Sequence, residues 1–150
     1  MYKFKSILVP TDFSDQFLLS LNYAKELASN TDAVLHIIHV AEHNVYPADL
    51  GITQASFIDL EMELNKKSTE QLEKIKNQLE SEGFKAVLQI SAGRASDKII
   101  EYAYDHKIDL ICIATHGRSG LEHFLFGSTT EKVLRKAPCP VLAVRISRNK

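Results

Sequence analysis

Asp109-Leu-Ile-Cys-Ile-Ala-Thr115, followed by Gly117-Arg-Ser-Gly-Leu-Glu-His-Phe-Leu-Phe-Gly-Ser-Thr-Thr-Glu131, is the stretch on which the reading of this chain turns. The first part is apolar at consecutive positions, as a strand covered on both faces should be. The second is a glycine-bearing loop that ends where a helix can begin, at Gly127-Ser128-Thr129-Thr130. Strand, glycine loop and helix N-terminus together present backbone N–H groups to an anion, and phosphate is the anion such loops most often hold.

Working outward, the same alternation runs through the chain. Lys5 to Val9 reads as a first strand stopped by Pro10, and Ser14 stands where a helix cap is expected. Phe17, Leu18, Leu21, Ala24, Leu27 and Ala28 recur at three-and-four spacing and predict one buried helix face. Ala33 to Val40 is the second strand, and Ala41 to Thr53 is a long polar, turn-prone segment. Gln54 to Glu82 is helical, with Phe57, Leu60, Leu64, Leu72, Ile75 and Leu79 as its apolar set and a polar middle from Asn65 to Gln71. Lys85 to Ile90 is strand three, Ala95 to His106 a helix, Leu110 to Ala114 strand four, Ser128 to Lys136 a helix, and Val141 to Ile146 strand five. The expectation is an α/β fold in a single domain over residues 1–150, with an open parallel five-stranded sheet and helices on both faces. Ligands of such sheets bind beyond the carboxyl ends of the strands. That rule nominates the loops after strand one, at Pro10-Thr11-Asp12, and after strand four, at Thr115-His116-Gly117.

Composition narrows the function classes. The 150 residues carry 18 basic and 19 acidic side chains for a formal net charge of -1, which offers no footprint for nucleic acid or an anionic membrane surface. No apolar run approaches the roughly 20 residues of a membrane helix. The opening MYKFKSILVP reads as a strand, without the cleavage site of a signal peptide. Two cysteines, Cys112 in an apolar strand and Cys139 between prolines, make neither a disulfide framework nor a zinc site, so a cytoplasmic location is expected.

Each candidate site residue carries two readings. Gly117 and Gly120 permit positive φ and close approach of a ligand, and Gly127 removes a side chain beside free N–H groups. Against this, Ser128-Thr-Thr-Glu131 fits a capping box that needs no ligand. The upstream glycines and the position of the loop in the sheet favour phosphate, although neither GxxxxGK[ST] nor GxGxxG occurs. Asp12 either accepts hydrogen bonds from a ribose or base, or bonds its own turn, and the residues leave both open. His36 and His39, three apart on one strand, face opposite ways and cannot chelate one metal. His43, His106, His116 and His123 show no ligand spacing, and no metal site is expected. Arg118 is placed to reach an outer phosphate or to face solvent. No Ser–His–acid pattern makes Ser128 a nucleophile, so no catalytic residue is assigned.

These residues also carry a resemblance. Pro10-Thr11-Asp12-Phe13-Ser14, His39-Val40, Ala114-Thr-His-Gly117-Arg-Ser-Gly-Leu121 with Gly127-Ser128 after nine residues that follow Gly117, and Ala137-Pro138-Cys-Pro140-Val141-Leu142-Ala-Val144 resemble the universal stress protein family in order and across the chain. The family motif begins with glycine where this chain has Ala114, whose methyl group would crowd a nucleotide slightly. The resemblance implies strand order 3-2-1-4-5, as in adenine nucleotide alpha hydrolase-like folds, and a site for ATP or AMP, with Mg2+ accompanying ATP. Asp12 would meet the ribose or base, the Val40 backbone the adenine, and Gly117, Gly127, Ser128 and Thr129 the phosphates. Pro10, Thr11, Ile113, Arg118 and Thr130 would complete the site. It further implies a stress-response module with at most weak ATP hydrolysis, and a homodimer paired through strand five, which proline at Val144 should break. The alternatives are a slow ATP hydrolase using the same pocket, and a dimeric scaffold that binds no nucleotide.

Overall fold

The computed structural model describes residues 3–43, 46–116 and 126–145. Its elements are β1 (Ser6–Thr11), α1 (Asp15–Ser29), β2 (Val34–Ala41), a short 3-10 turn (Pro47–Leu50), α2 (Gln54–Ser81), β3 (Ala86–Ala92), α3 (Ala95–Asp105), β4 (Leu110–Ala114), α4 (Ser128–Lys136) and β5 (Val141–Val144). The five strands form one parallel sheet in the order β3-β2-β1-β4-β5. Alternate strand residues feed two cores. Ile7, Val9, Leu35 and Ile37 pack with Phe17, Leu21 and Ala24 of α1 and Leu72 and Leu79 of α2. Leu8, Ile38, Ile111 and Ile113 pack with Ile99, Tyr102 and Ala103 of α3 and Val133 of α4. This two-sided burial is why the strands are apolar at successive positions instead of alternating.

Several boundaries differ from those expected. β1 runs through Pro10 to Thr11, with Pro10 opposite Ile38. Proline is tolerated there because odd-numbered β1 residues donate to β2, and the ladder with β4 has already ended at Leu8↔Ile111. Ser14 takes the N-cap position of α1 but caps nothing; its hydroxyl donates to the Asp12 carboxylate. Leu18, expected on the buried face of α1, is 51% exposed. In α2 only Leu72 and Leu79 are buried, while Leu60 and Leu64 are exposed. Length explains this. The 28 residues of α2 extend about 42 Å at 1.5 Å per residue. The 7 residues of β3 beneath extend only about 23 Å. The first half of the helix therefore overhangs the sheet. β5 ends at Val144, Arg145 is outside the strand, and Ile146 lies outside the described residues.

Candidate functional site

The carboxyl ends of β1, β2 and β4 open into a cleft of ≈ 320 Å³ closed from the side by α3 and the start of α4. That volume is at the lower end of the range for small-molecule sites. Its lining brings together Pro10, Thr11, Asp12, Val40, Ile113, Gly127, Ser128, Thr129 and Thr130. Gly117 and Arg118 lie outside the described residues, as do Gly120 and His123.

One end of the cleft is a helix terminus. Gly127 is the N-cap of α4, with φ -66, and no side chain caps the helix. The capping box therefore does not form, because Ser128 is already the first helical residue. The N–H groups of Ser128, Thr129 and Thr130 have no carbonyl to bond within the helix and lie in its positive end. The terminus is moored to β4: the Gly127 N–H donates to Thr115 O at 2.7 Å and the Thr130 hydroxyl to Ala114 O at 2.8 Å. Thr130 is thus buried and its hydroxyl engaged, leaving its backbone as the group directed to a ligand. Ala114 and His116 also line the cleft, and Thr115 Oγ1 lies 3.2 Å from His116 Nδ1.

The middle is the turn after β1. Phe13 has φ 62, a left-handed conformation uncommon for a bulky residue. Its N–H donates to Thr11 Oγ1 at 2.9 Å, its ring meets that of His39 at 4.6 Å, and His39 Nδ1 lies 3.0 Å from Thr11 O. Asp12 Oδ1 accepts the Ser14 N–H at 3.0 Å, so the turn-forming role is present, and the same residue lines the cleft.

The far end is β2. The register with β1 ends at Thr11↔His39. The Val40 N–H points back to the Thr11 carbonyl, but the Val40 carbonyl has no counterpart. The N–H that would meet it, that of Phe13, has turned away to Thr11 Oγ1. A carbonyl acceptor is left at the cleft beside apolar Ile38, Ile99 and Ile113. Sequence reasoning missed Glu42, two residues on and also in the lining. His39, which positions the β1 turn, enters the sequence reading as a metal-ligand candidate and as part of the His39-Val40 motif, and neither gives it that role. No local signal gives either one its role, because their partners Ala95 and Phe13 are brought close by strand crossovers. Among the described residues no group of three His, Cys, Asp or Glu is arranged to hold a metal, and no helix is long and apolar enough to cross a membrane.

The sequence profile of the Universal stress protein family matches residues 3–145. The chain belongs to this family. A universal stress protein of Methanocaldococcus jannaschii is 35% identical over 143 residues, covering 95% of this chain and 82% of the relative. A second from the same archaeon is 34% identical over 154 residues, covering 95% of each. Its solved structure aligns over 99% of this chain and 100% of its own, with TM-score 0.85 and 30% identity. Two more distant members share the fold. One is a universal stress protein in complex with cAMP, with TM-score 0.70, 22% identity, and 97% and 100% of the two chains covered. The other, from Arabidopsis thaliana with AMP bound, has TM-score 0.67, 19% identity, and 96% and 93% covered.

Proposed function

We propose that this universal stress protein binds an adenine nucleotide, AMP or ATP with its Mg2+, in the cleft beyond β1, β2 and β4. It acts as a cytoplasmic sensor or regulatory module, and at most as a weak ATP hydrolase. The observation that carries this reading is the pairing of two unmet backbone features across one cleft. The uncapped N-terminus of α4 is at one end, and the ladder-free carbonyl of Val40 is at the other. A phosphate suits the first and a purine amine the second, with Asp12 between them for the ribose. Family members of the same fold that hold cAMP and AMP support the ligand class. A homodimer paired through β5 is part of the proposal, since β5 is an edge strand whose other side is occupied by β4.

Calorimetric titration of AMP and ATP tests the ligand. The expected dissociation constant is micromolar, about -8 kcal/mol. In Gly127→Val the affinity should fall by about tenfold or more, roughly 1.4 kcal/mol. The variant should fold, because a Cβ at Gly127 meets only Thr115 O at 3.5 Å, an ordinary contact. Equal affinity in both proteins would remove α4 from the binding site.

A further inference from the structure

Glu42 follows Val40 by two residues and lies on the same side of the strand direction, facing α3. Its Oε1 accepts the N–H of Ala95, the first residue of α3, at 2.6 Å. That helix has no other side-chain cap, since its N-cap Arg94 makes no such bond. The Gly93 N–H donates to Ala41 O at 3.0 Å and fixes the intervening turn against β2. The carboxylate is therefore held in place at the cleft mouth, beside Val40, Ala95 and Ile99.

The hydrogen-bonding character of this end is one-sided. The Val40 carbonyl accepts, the Glu42 carboxylate accepts, and the neighbouring Ala95 N–H is already engaged by Glu42. A purine bearing an amine at C6 brings two N–H donors to such a place. A purine bearing a carbonyl at C6 keeps one donor, at N1, but sets an acceptor at C6 against these acceptors, one of them charged. A site that accepts from the C6 substituent penalises an analogue that places an acceptor there, because its own polar groups then lose that partner and face a like one.

We propose that Glu42 is a specificity-determining residue of the cleft, selecting 6-aminopurine nucleotides over 6-oxopurine nucleotides. This rests on the nucleotide-binding reading above and adds the side chain that chooses the base. Glu42 stands at the exposed rim, so water moderates the preference, and the expected discrimination is about tenfold to a hundredfold.

The test is calorimetric titration of the whole chain and its Glu42→Gln variant with AMP and with IMP. Glutamine retains a carbonyl oxygen to cap Ala95 and turns an amide N–H toward the cleft. Wild type should prefer AMP over IMP. In Glu42→Gln the AMP-to-IMP affinity ratio should fall by about tenfold, with IMP binding gained in absolute terms. Ala95→Pro is a second variant. Proline is accepted at the first position of a helix, and it removes the N–H that anchors the carboxylate while leaving the charge. There too the ratio should fall, which carries the test if Glu42→Gln melts too low to titrate. AMP binding with a ratio unchanged in the variants overturns the role of Glu42 and leaves the nucleotide reading standing. Failure of wild type to bind AMP removes the nucleotide reading, and the role of Glu42 with it.

Discussion

Asp12 shows how one side chain serves two ends. Its Oδ1 holds the turn that starts α1 by accepting the Ser14 N–H, and the residue also lines the cleft. Substitutions separate these roles. Asp12→Asn keeps an acceptor for Ser14 but loses the charge that ribose hydroxyls would bond. It should melt near wild type and bind AMP with a loss of about 1.5–3 kcal/mol, the range for hydrogen bonds to a charged group. Asp12→Ala should lose stability as well. Unchanged AMP affinity in Asp12→Asn would reduce the residue to its turn. His36 gives a second residue-level expectation. It lies in β2 with Nδ1 2.9 Å from the Tyr102 hydroxyl, and Tyr102 stacks on His106 at 3.8 Å. Burial, and then the neighbouring His106, lower the His36 pKa from 6.5. Below 6.5 the unfolded chain binds the proton that the folded chain resists. Stability should therefore be full above that value and decline as pH falls from 6.5 toward the lowered native value. His36→Gln should flatten this part of the profile in urea unfolding measured across that window, and an unaltered slope would clear His36 of the effect.

Among the elements, α2 departs furthest from its sequence pattern. Phe57, Leu60, Leu64, Leu72, Ile75 and Leu79 have helical spacing throughout, yet burial begins only at the half that overlies β3. Periodicity reports a face and not the length of what lies beneath it. Leu79, 2% exposed, packs in the core between α2 and the sheet. Leu79→Ala should cost about 2–5 kcal/mol in equilibrium unfolding, whereas Leu64→Ala, at a side chain 51% exposed, should stay within about 0.5 kcal/mol. Similar losses at both positions would mean that the overhanging half is packed against something in solution. α4 was better read. Its start at Ser128 matches the expectation; the competing reading of Ser128 as a cap fails, because the N-cap is Gly127. A shift of one position converts a closed helix end into an open one.

For the molecule as a whole, the proposed dimer is decided by which backbone groups point out of the sheet. The Ile111 N–H donates to Pro140 O and the Thr115 N–H to Val144 O, so even-numbered β5 residues face β4. The Val144 N–H is inside the sheet, and proline there would damage the β4–β5 ladder before it touched a partner. Val141 and Ala143 face the free edge. Ala143→Pro is the variant that removes an outward donor and spares the ladder. Light scattering at tens of micromolar, a rough working range above a micromolar dissociation constant, should show a wild-type dimer and a monomeric Ala143→Pro variant with little loss of melting temperature. A wild-type monomer there would end the proposal.

Element types and their order were legible in the chain because burial on both sheet faces writes itself as continuous apolar runs, and helix packing as three-and-four spacing. Strand order came from the motifs Pro10-Thr11-Asp12, His39-Val40 and Gly127-Ser128 by resemblance, since no local property of a strand names its neighbour. What folding alone supplied is relational. The Val40 carbonyl is open because Phe13, 27 positions earlier, turns its N–H to Thr11. Glu42 is fixed because α3 begins 53 positions later beside it. Hydrogen-bond partners far apart in sequence are set by register and crossover geometry, and these become definite only when the sheet has closed around its two cores.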